Sequence, residues 1–221
     1  MNKLEKNNKA IYYEIMNKNN KHTYFRSKPG HVLVTTNKKI PIERIEAVLL
    51  LKFDRFYEQT QILPIESDDQ ISLWGRTYQI IRKPGRFKYE IKDDSFLLTA
   101  RETADIKTLK KRVYLAEMKR ITPNIEVEIK PVLDFYNIKE APIHYSYFIS
   151  KFGSFHKRKY FIKLNTFLAT LDSIHLKYVL YHEYAHTVHF NHSTKFYDLL
   201  MKLMPNYREI QKQIKSIAIP R

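Results

Sequence analysis

At 221 residues, the chain is long enough for one domain or one and a half, with ample core. Its 43% hydrophobic and 14% aromatic content excludes a disordered chain, and its lack of cysteine excludes disulfides, thiolate catalysis and cysteine-based metal sites. The formal charge of +16 is spread from Lys3 to Arg221 rather than gathered into one stripe, so it speaks to solubility and non-specific attraction to polyanions more than to a nucleic-acid-binding face.

The Lys- and Asn-rich start, Met1 to Lys9, has no apolar stretch after it, so no secretory signal is read there. Ala10–Tyr13, His22–Phe25 and His31–Thr36 read as three strands, with Pro29-Gly30 as a turn. Pro41 opens a helix reaching Tyr57, with Ile42, Ile45, Val48, Leu49 and Phe53 on one face. Gln59 to Gln70 reads as loop. Four strands follow, Ile71–Trp74, Tyr78–Ile81, Phe87–Ile91 and Ser95–Thr99, punctuated by Gly75, Pro84-Gly85 and Asp93-Asp94 as in an antiparallel meander.

From Glu102 the period becomes helical. Ile106, Leu109, Val113 and Met118 mark a basic helix to Arg120, Thr122-Pro123 reads as the cap of a second helix, and Pro131 as its kink or break. His144–Ile149 and Tyr160–Leu164 read as strands joined by a turn at Gly153-Ser154. Two more helices are expected after residue 190, Thr194–Leu203 and Tyr207–Ile217, separated by Pro205. The fold class is therefore α+β, with residues 1–100 a β-rich region of antiparallel strands around one helix and residues 101–221 a mainly helical half with a short sheet. No internal repeat is visible. No apolar run approaches membrane-spanning length, and the cysteine-free composition fits a cytoplasmic chain.

The chemistry concentrates in Tyr181-His182-Glu183-Tyr184-Ala185-His186. The pattern H-E-x-x-H places two imidazoles four residues apart, one above the other on a helix, where both point at one metal ion. Glu183 is offset by about 100° from His182, within reach of a water on the metal without being a ligand. Ile174, Tyr178, Tyr181, Ala185 and Val188 recur as a buried helical stripe, Asp172 or Ser173 caps the start, and Asn191 reads as a left-handed stop. His192 beyond the helix is the preferred third ligand because it approaches from another direction. His189 is its competitor, since it shares the face of His182 and His186. Three nitrogen donors leave a fourth position on zinc open, as catalytic sites require.

The ordered blocks Ser150-Lys151-Phe152-Gly153-Ser154, Ile162-Lys163-Leu164-Asn165, the H-E-x-x-H run, Asn191-His192-Ser193 and Phe196 resemble the YgjP-like family, metal-dependent hydrolases related to SprT-like and minimal gluzincin-type peptidases. The resemblance extends over most of the chain. It implies a zincin-like metallopeptidase domain over 101–221, with His182, His186 and His192 as Zn2+ ligands and Glu183 as general base. Two departures touch the cleft wall: the family's Arg-Trp-Gly-Ser-Cys block is Lys151-Phe152-Gly153-Ser154-Phe155 here, and the Trp common after the Phe is Tyr197.

The expected function is thus hydrolysis of a peptide or protein substrate. Tyr147, His189 and Tyr197 are candidates by type to steady the oxyanion, Asn165 to orient substrate or cap a turn, and Asp198 or Glu209 to support a ligand imidazole. The strand Tyr160–Leu164 is a candidate to pair with an extended peptide. Gly153-Ser154 reads as a tight turn rather than a serine nucleophile. Hydrolysis of nucleoside triphosphates at the same metal is the alternative, with Lys157, Arg158 and Lys159 on the phosphates, although none of the four glycines forms a phosphate-cradling loop. Protease action on nucleic-acid-bound proteins is a third reading, suggested by the resemblance to SprT-like relatives and favoured by the basic charge, and a non-catalytic metal module a fourth, opposed by the intact Glu183. No membrane partner is expected.

Overall fold

The computed structural model describes the chain except residues 8, 29, 38, 62–66, 218 and 220–221. The chain forms two compact units, Met1–Ile65 with Lys215–Arg221, and Glu66–Ile214. The compositional change near residue 100 falls inside the second unit, where its strands give way to a long helix.

In the first unit, strands β1 (Asn2–Lys6), β2 (Lys9–Asn17), β3 (Tyr24–Lys28) and β4 (His31–Thr36) form one sheet in the order β1-β2-β4-β3. Strand β1 lies in the Lys- and Asn-rich start, where the sequence names no strand. Leu4 accounts for it, as a single apolar residue in a polar strand that packs on the core. Alternating residues Ile11, Tyr13, Val32 and Val34 meet Ile45, Leu49, Phe53 and Phe56 from the helices that follow. The helix expected from Pro41 to Tyr57 is two, α1 (Ile42–Leu51) and α2 (Phe53–Gln61). The break falls at Lys52, which leaves helical geometry at φ −111° and ψ 24°.

In the second unit, β5 (Gln70–Leu73), β6 (Arg76–Pro84), β7 (Lys88–Lys92) and β8 (Ser95–Ala100) form a sheet in the order β5-β6-β8-β7. Neither four-stranded sheet is the expected antiparallel meander. In each, two hairpins lie side by side through a parallel central pair, β2 with β4 and β6 with β8. The two sheets repeat one topology. Tyr24, His31 and Ile42 begin β3, β4 and α1, and Lys88, Ser95 and Ile106 begin the matching elements at one constant offset. The buried positions match as well, Val32 and Val34 against Phe96 and Leu98. The repeat lies in pattern rather than in residue identity, which hides it in the sequence.

The helix α3 (Ile106–Phe135) is continuous through Pro123 and Pro131, where a break was expected. Each proline deletes one N–H donor. Pro123 and Pro131 are themselves exposed, and the carbonyls they release belong to the exposed residues Lys119 and Val127, which water can satisfy. Buried Leu109, Val113, Ile125, Ile129 and Leu133 hold the other face.

Strands β9 (Ile143–Ser146), β10 (Gly153–His156) and β11 (Phe161–Asn165) then form a three-stranded sheet in the order β10-β11-β9. Gly153-Ser154 is therefore strand rather than turn; the 3-10 turn Lys157–Lys159 closes the β10–β11 hairpin. A second 3-10 turn, Thr166–Thr170, leads into α4 (Ser173–Val188), followed by α5 (Thr194–Leu203) and α6 (Tyr207–Ser216). Asp172 caps α4, accepting a bond from the Ile174 N–H at 2.9 Å. The helix ends through His189 in extended conformation, and the left-handed stop expected at Asn191 is absent. Val188, expected in the buried stripe, is 46% exposed because it sits in the last turn. Among the described residues no helix is long and apolar enough to cross a membrane.

One buried carboxylate ties this unit together. Glu117 of α3 accepts bonds from the Trp74 indole at 2.7 Å, from the Tyr89 hydroxyl at 2.9 Å and from both Nε and a terminal nitrogen of Arg120. Trp74 (φ 51°) and Gly75 (φ 80°) form the β5–β6 turn, where both residues need positive φ. The Trp74 N–H donates to the Ala169 carbonyl at 2.8 Å, next to the start of α4. Burial opposes the charge on Glu117, but the bonds from Arg120, Trp74 and Tyr89 outweigh it and hold the carboxyl below its ordinary range. Glu117→Ala leaves these donors unpaired and is expected to cost about 3–5 kcal/mol by urea denaturation. Because the folded-state pKa is depressed, this contribution is present above the ordinary carboxylate range. It is lost as pH falls through the depressed folded-state value, which a pH series of the wild type against Glu117→Gln reads directly.

Candidate metal centre

The residues of the H-E-x-x-H run lie in the C-terminal half of α4, which packs on the β10–β11 hairpin and on α5. Its spacing brings His182 and His186 to one side, with ring centroids 4.9 Å apart. The chain then turns through 189–193, and His192 returns to both, at 5.1 Å from His182 and 4.7 Å from His186. One nitrogen from each of the three lies within 4.8 Å of the other two.

The donor set fits a metal ion. The Nε2 atoms of His182 and His192 face each other at 3.2 Å, close to the roughly 3.3–3.4 Å between two nitrogens on a tetrahedral zinc. Two ring nitrogens so placed share either a proton or a cation. His186 is fixed differently, its Nδ1 donating to the backbone carbonyl of His189 at 3.2 Å and leaving Nε2 with a free lone pair. Burial, joined by the charge of His192, lowers the pKa of His186 and keeps it in the neutral, ligating form.

Behind the three imidazoles stands Phe196, fully buried on α5, with ring centroids 5.1, 4.6 and 4.8 Å from His182, His186 and His192. It is the apolar wall that all three rings rest on. It is among the residues that carry the family resemblance, but its role as a wall shared by all three rings shows only in the fold.

Glu183 points to the sheet. Its carboxyl is 5% exposed and burial pushes its pKa up to about 7, opposed by a bond from the Phe155 N–H and the nearby Lys151 ammonium. A carboxyl poised near neutrality is suited to accept and release a proton. Gly153 makes room for it. A Cβ there would come within 2.8 Å of both Glu183 Oε1 and Val179 Cγ1. The glycine that sequence assigns to a turn is required by a close approach instead.

The segment before β10 is pinned by Asn165, which is completely buried. Its amide donates to the carbonyls of Phe148 and Lys151 at 2.9 and 2.8 Å, and its oxygen accepts from the Phe148 and Phe167 N–H groups. All of its bonding capacity goes to backbone. Of the three oxyanion candidates, Tyr197 stacks between His192 and Tyr207, at 6.1 Å from each. Tyr147 lies under the Lys111 ammonium of α3 at 4.7 Å. His189 lines a recess with Tyr136, Lys195 and Asp198. Asp198 thus lies beside His189, and the carbonyl of His189 is what supports His186.

A family model for a YgjP-like metallopeptidase domain matches residues 21–217. The chain belongs to the YgjP-like family. Membership implies a metal-dependent peptidase fold, and the metal ion of such a YgjP-like domain has a donor cluster here in His182, His186 and His192. A solved structure, the metallopeptidase zymogen jannalysin of Methanocaldococcus jannaschii, is 25% identical over 41% of this chain and 93% of that chain, with a TM-score of 0.36. No curated protein gives a match.

Two substitutions separate the roles within this YgjP-like site. Phe196→Ala removes the wall and is expected to cost about 3–5 kcal/mol of stability and to weaken metal retention while every ligand is kept; thermal melts with and without chelator test both. Gly153→Ala forces the Glu183 carboxyl aside. Hydrolytic rate is expected to fall by about 10²-fold with metal content unchanged, read by parallel kinetics and elemental analysis.

Proposed function

We propose that this protein is a zinc peptidase in which His182, His186 and His192 hold the metal and Glu183 is the general base. The observation that carries the reading is the convergence of three imidazoles beside a buried carboxyl that a glycine makes room for. A purely structural metal site needs the first and has no use for the second. When bound, zinc supplies Lewis acidity, acidifying water at its open position and polarising a carbonyl. Glu183 takes the proton of the attacking water and delivers it to the leaving amine. Tyr197, beside His192, is the group nearest in kind and place to steady the developing oxyanion.

The sheet favours an extended peptide as substrate. The strand singled out in the sequence, β11, is the central strand, with β10 on one side and β9 on the other, so it cannot accept a further partner. Strand β10 is the edge. Its Phe152 carbonyl accepts from Asn165 in β11, so by alternation the backbone groups of Gly153 and Phe155 face the open side, where Phe155 already reaches Glu183. An extended chain laid along β10 therefore passes in front of the base.

The reading is tested by metal content and turnover together. One zinc per chain is expected in the wild type and in Glu183→Gln, with peptide hydrolysis lost in the latter. His192→Ala is expected to lose the metal. Metal loss on His189→Ala with retention on His192→Ala would reassign the third ligand, and turnover by Glu183→Gln would remove its role as base. Release of pyrophosphate from nucleoside triphosphates, with no peptide cleaved, would replace the substrate class.

A further inference from the structure

Two cations stand at opposite ends of the open strand β10, and the only carboxyl shown to feel either of them among the described residues is Glu183, which Lys151 acts on from outside ion-pair distance. Lys151 precedes the strand and Lys157 follows it. Among the described residues neither forms an ion pair with an acidic side chain. Each is held over an aromatic ring instead, Lys151 at 5.0 Å from the centroid of Phe148 and Lys157 at 3.5 Å from that of Phe190. A ring orients an ammonium and leaves its charge uncompensated, with N–H donors to spare.

Both anchors belong to the site. Phe148 has its N–H and carbonyl tied to Asn165, the residue that also pins the Lys151 carbonyl. Phe190 lies in the loop between His189, whose carbonyl orients His186, and His192. Lys163 of β11 adds a third ammonium over Phe148, at 5.8 Å. Arg158 and Lys159 continue the charge beyond Lys157. The exposed Ile149 and Phe190, 55% and 48% accessible, give these ammonium groups apolar neighbours.

Resting on the peptidase reading above, we infer that the site selects acidic peptides, with Lys151 and Lys157 receiving carboxylates on opposite sides of the scissile bond. The fit is one of length as well as charge. Lys151 and Lys157 are six positions apart, at most roughly 20 Å of extended chain, so carboxylates about three residues to either side of the cleaved bond come level with the two ammonium groups. Lysine supplies a mobile point charge rather than a forked pair of donors, so the selection is for negative charge and not for one acid; Asp and Glu serve alike. The Glu183 carboxyl meets this strand at Gly153 and Phe155, between its ends, so the substrate's acids at the two ends do not displace it.

The test uses the zinc-loaded full chain and three peptides of one length, differing only in the residues three positions before and three positions after the cleaved bond: Glu at both, Gln at both, and Lys at both. The expected order of kcat/KM is Glu, then Gln, then Lys, with about a three- to tenfold step from Gln to Glu at low salt, shrinking as salt screens the exposed charges. Lys151→Met and Lys157→Met keep the stem over the ring and remove the charge; each is expected to bring the Glu-to-Gln ratio towards one at its own end of the peptide, read with singly substituted peptides. Lys157→Glu is expected to make Lys the preferred residue at that end. Melting temperatures of the variants verify that each is folded. Equal cleavage of the three peptides, or a Glu preference untouched by either Met variant, overturns the inference and leaves the peptidase reading standing. Cleavage of none of them, or of a wider peptide set, by zinc-loaded wild type overturns both.

Discussion

The structure around the metal centre depends on one close approach, that of the Glu183 carboxyl to the Cα of Gly153. A carboxyl that is almost fully buried must be held where its proton can still be exchanged, and here helix and strand come so near that no side chain fits between them. Everything that fixes strand β10 therefore fixes the base. Asn165 ties down the segment before it, the hairpin with β11 sets its register, and the Phe155 N–H reaches the carboxyl itself. Within the same unit, the Trp74 turn is tied to Ala169, just before α4, and to Glu117 of α3.

The imidazoles answer to a different logic. Two are placed by helical spacing, and the third must be brought back by a turn of chain. That turn is stabilised by what the site itself offers: the carbonyl of His189 accepts from His186, and Phe196 at the start of α5 backs all three rings. His189 thus contributes through its backbone, and it lines a recess with Asp198. A recess of about 430 Å³ lies in the first unit among Thr23, Lys52, Arg55 and Phe56, far in sequence from these residues.

Local sequence carries local structure well where the period is strong. The helix of the H-E-x-x-H run, its cap at Asp172, the strands β5 to β8 and the two last helices all lie where side-chain periodicity puts them. Reading fails where a single residue decides. Leu4 alone brings β1 into the sheet, Lys52 alone divides α1 from α2, and Pro123 and Pro131 do not break α3 because the carbonyls they release face water. The repeated topology of the two four-stranded sheets is invisible for a related reason, since burial pattern is shared and residue identity is not.

What the sequence by itself determines is the set of donors and their helical spacing: two imidazoles four apart with a carboxylate between them, and a third histidine downstream. Spacing along a helix is a property of the backbone, so it survives without knowledge of the rest of the chain. Only the tertiary structure decides that β10 and not β11 is the open edge, that Gly153 is the space for a carboxyl, that Asn165 is spent on backbone, and that Lys151 and Lys157 keep their charge over aromatic rings. Each of these depends on which segments lie side by side, and strand order and ring-to-ammonium contacts are set by packing between residues distant in the chain, for which no local period exists.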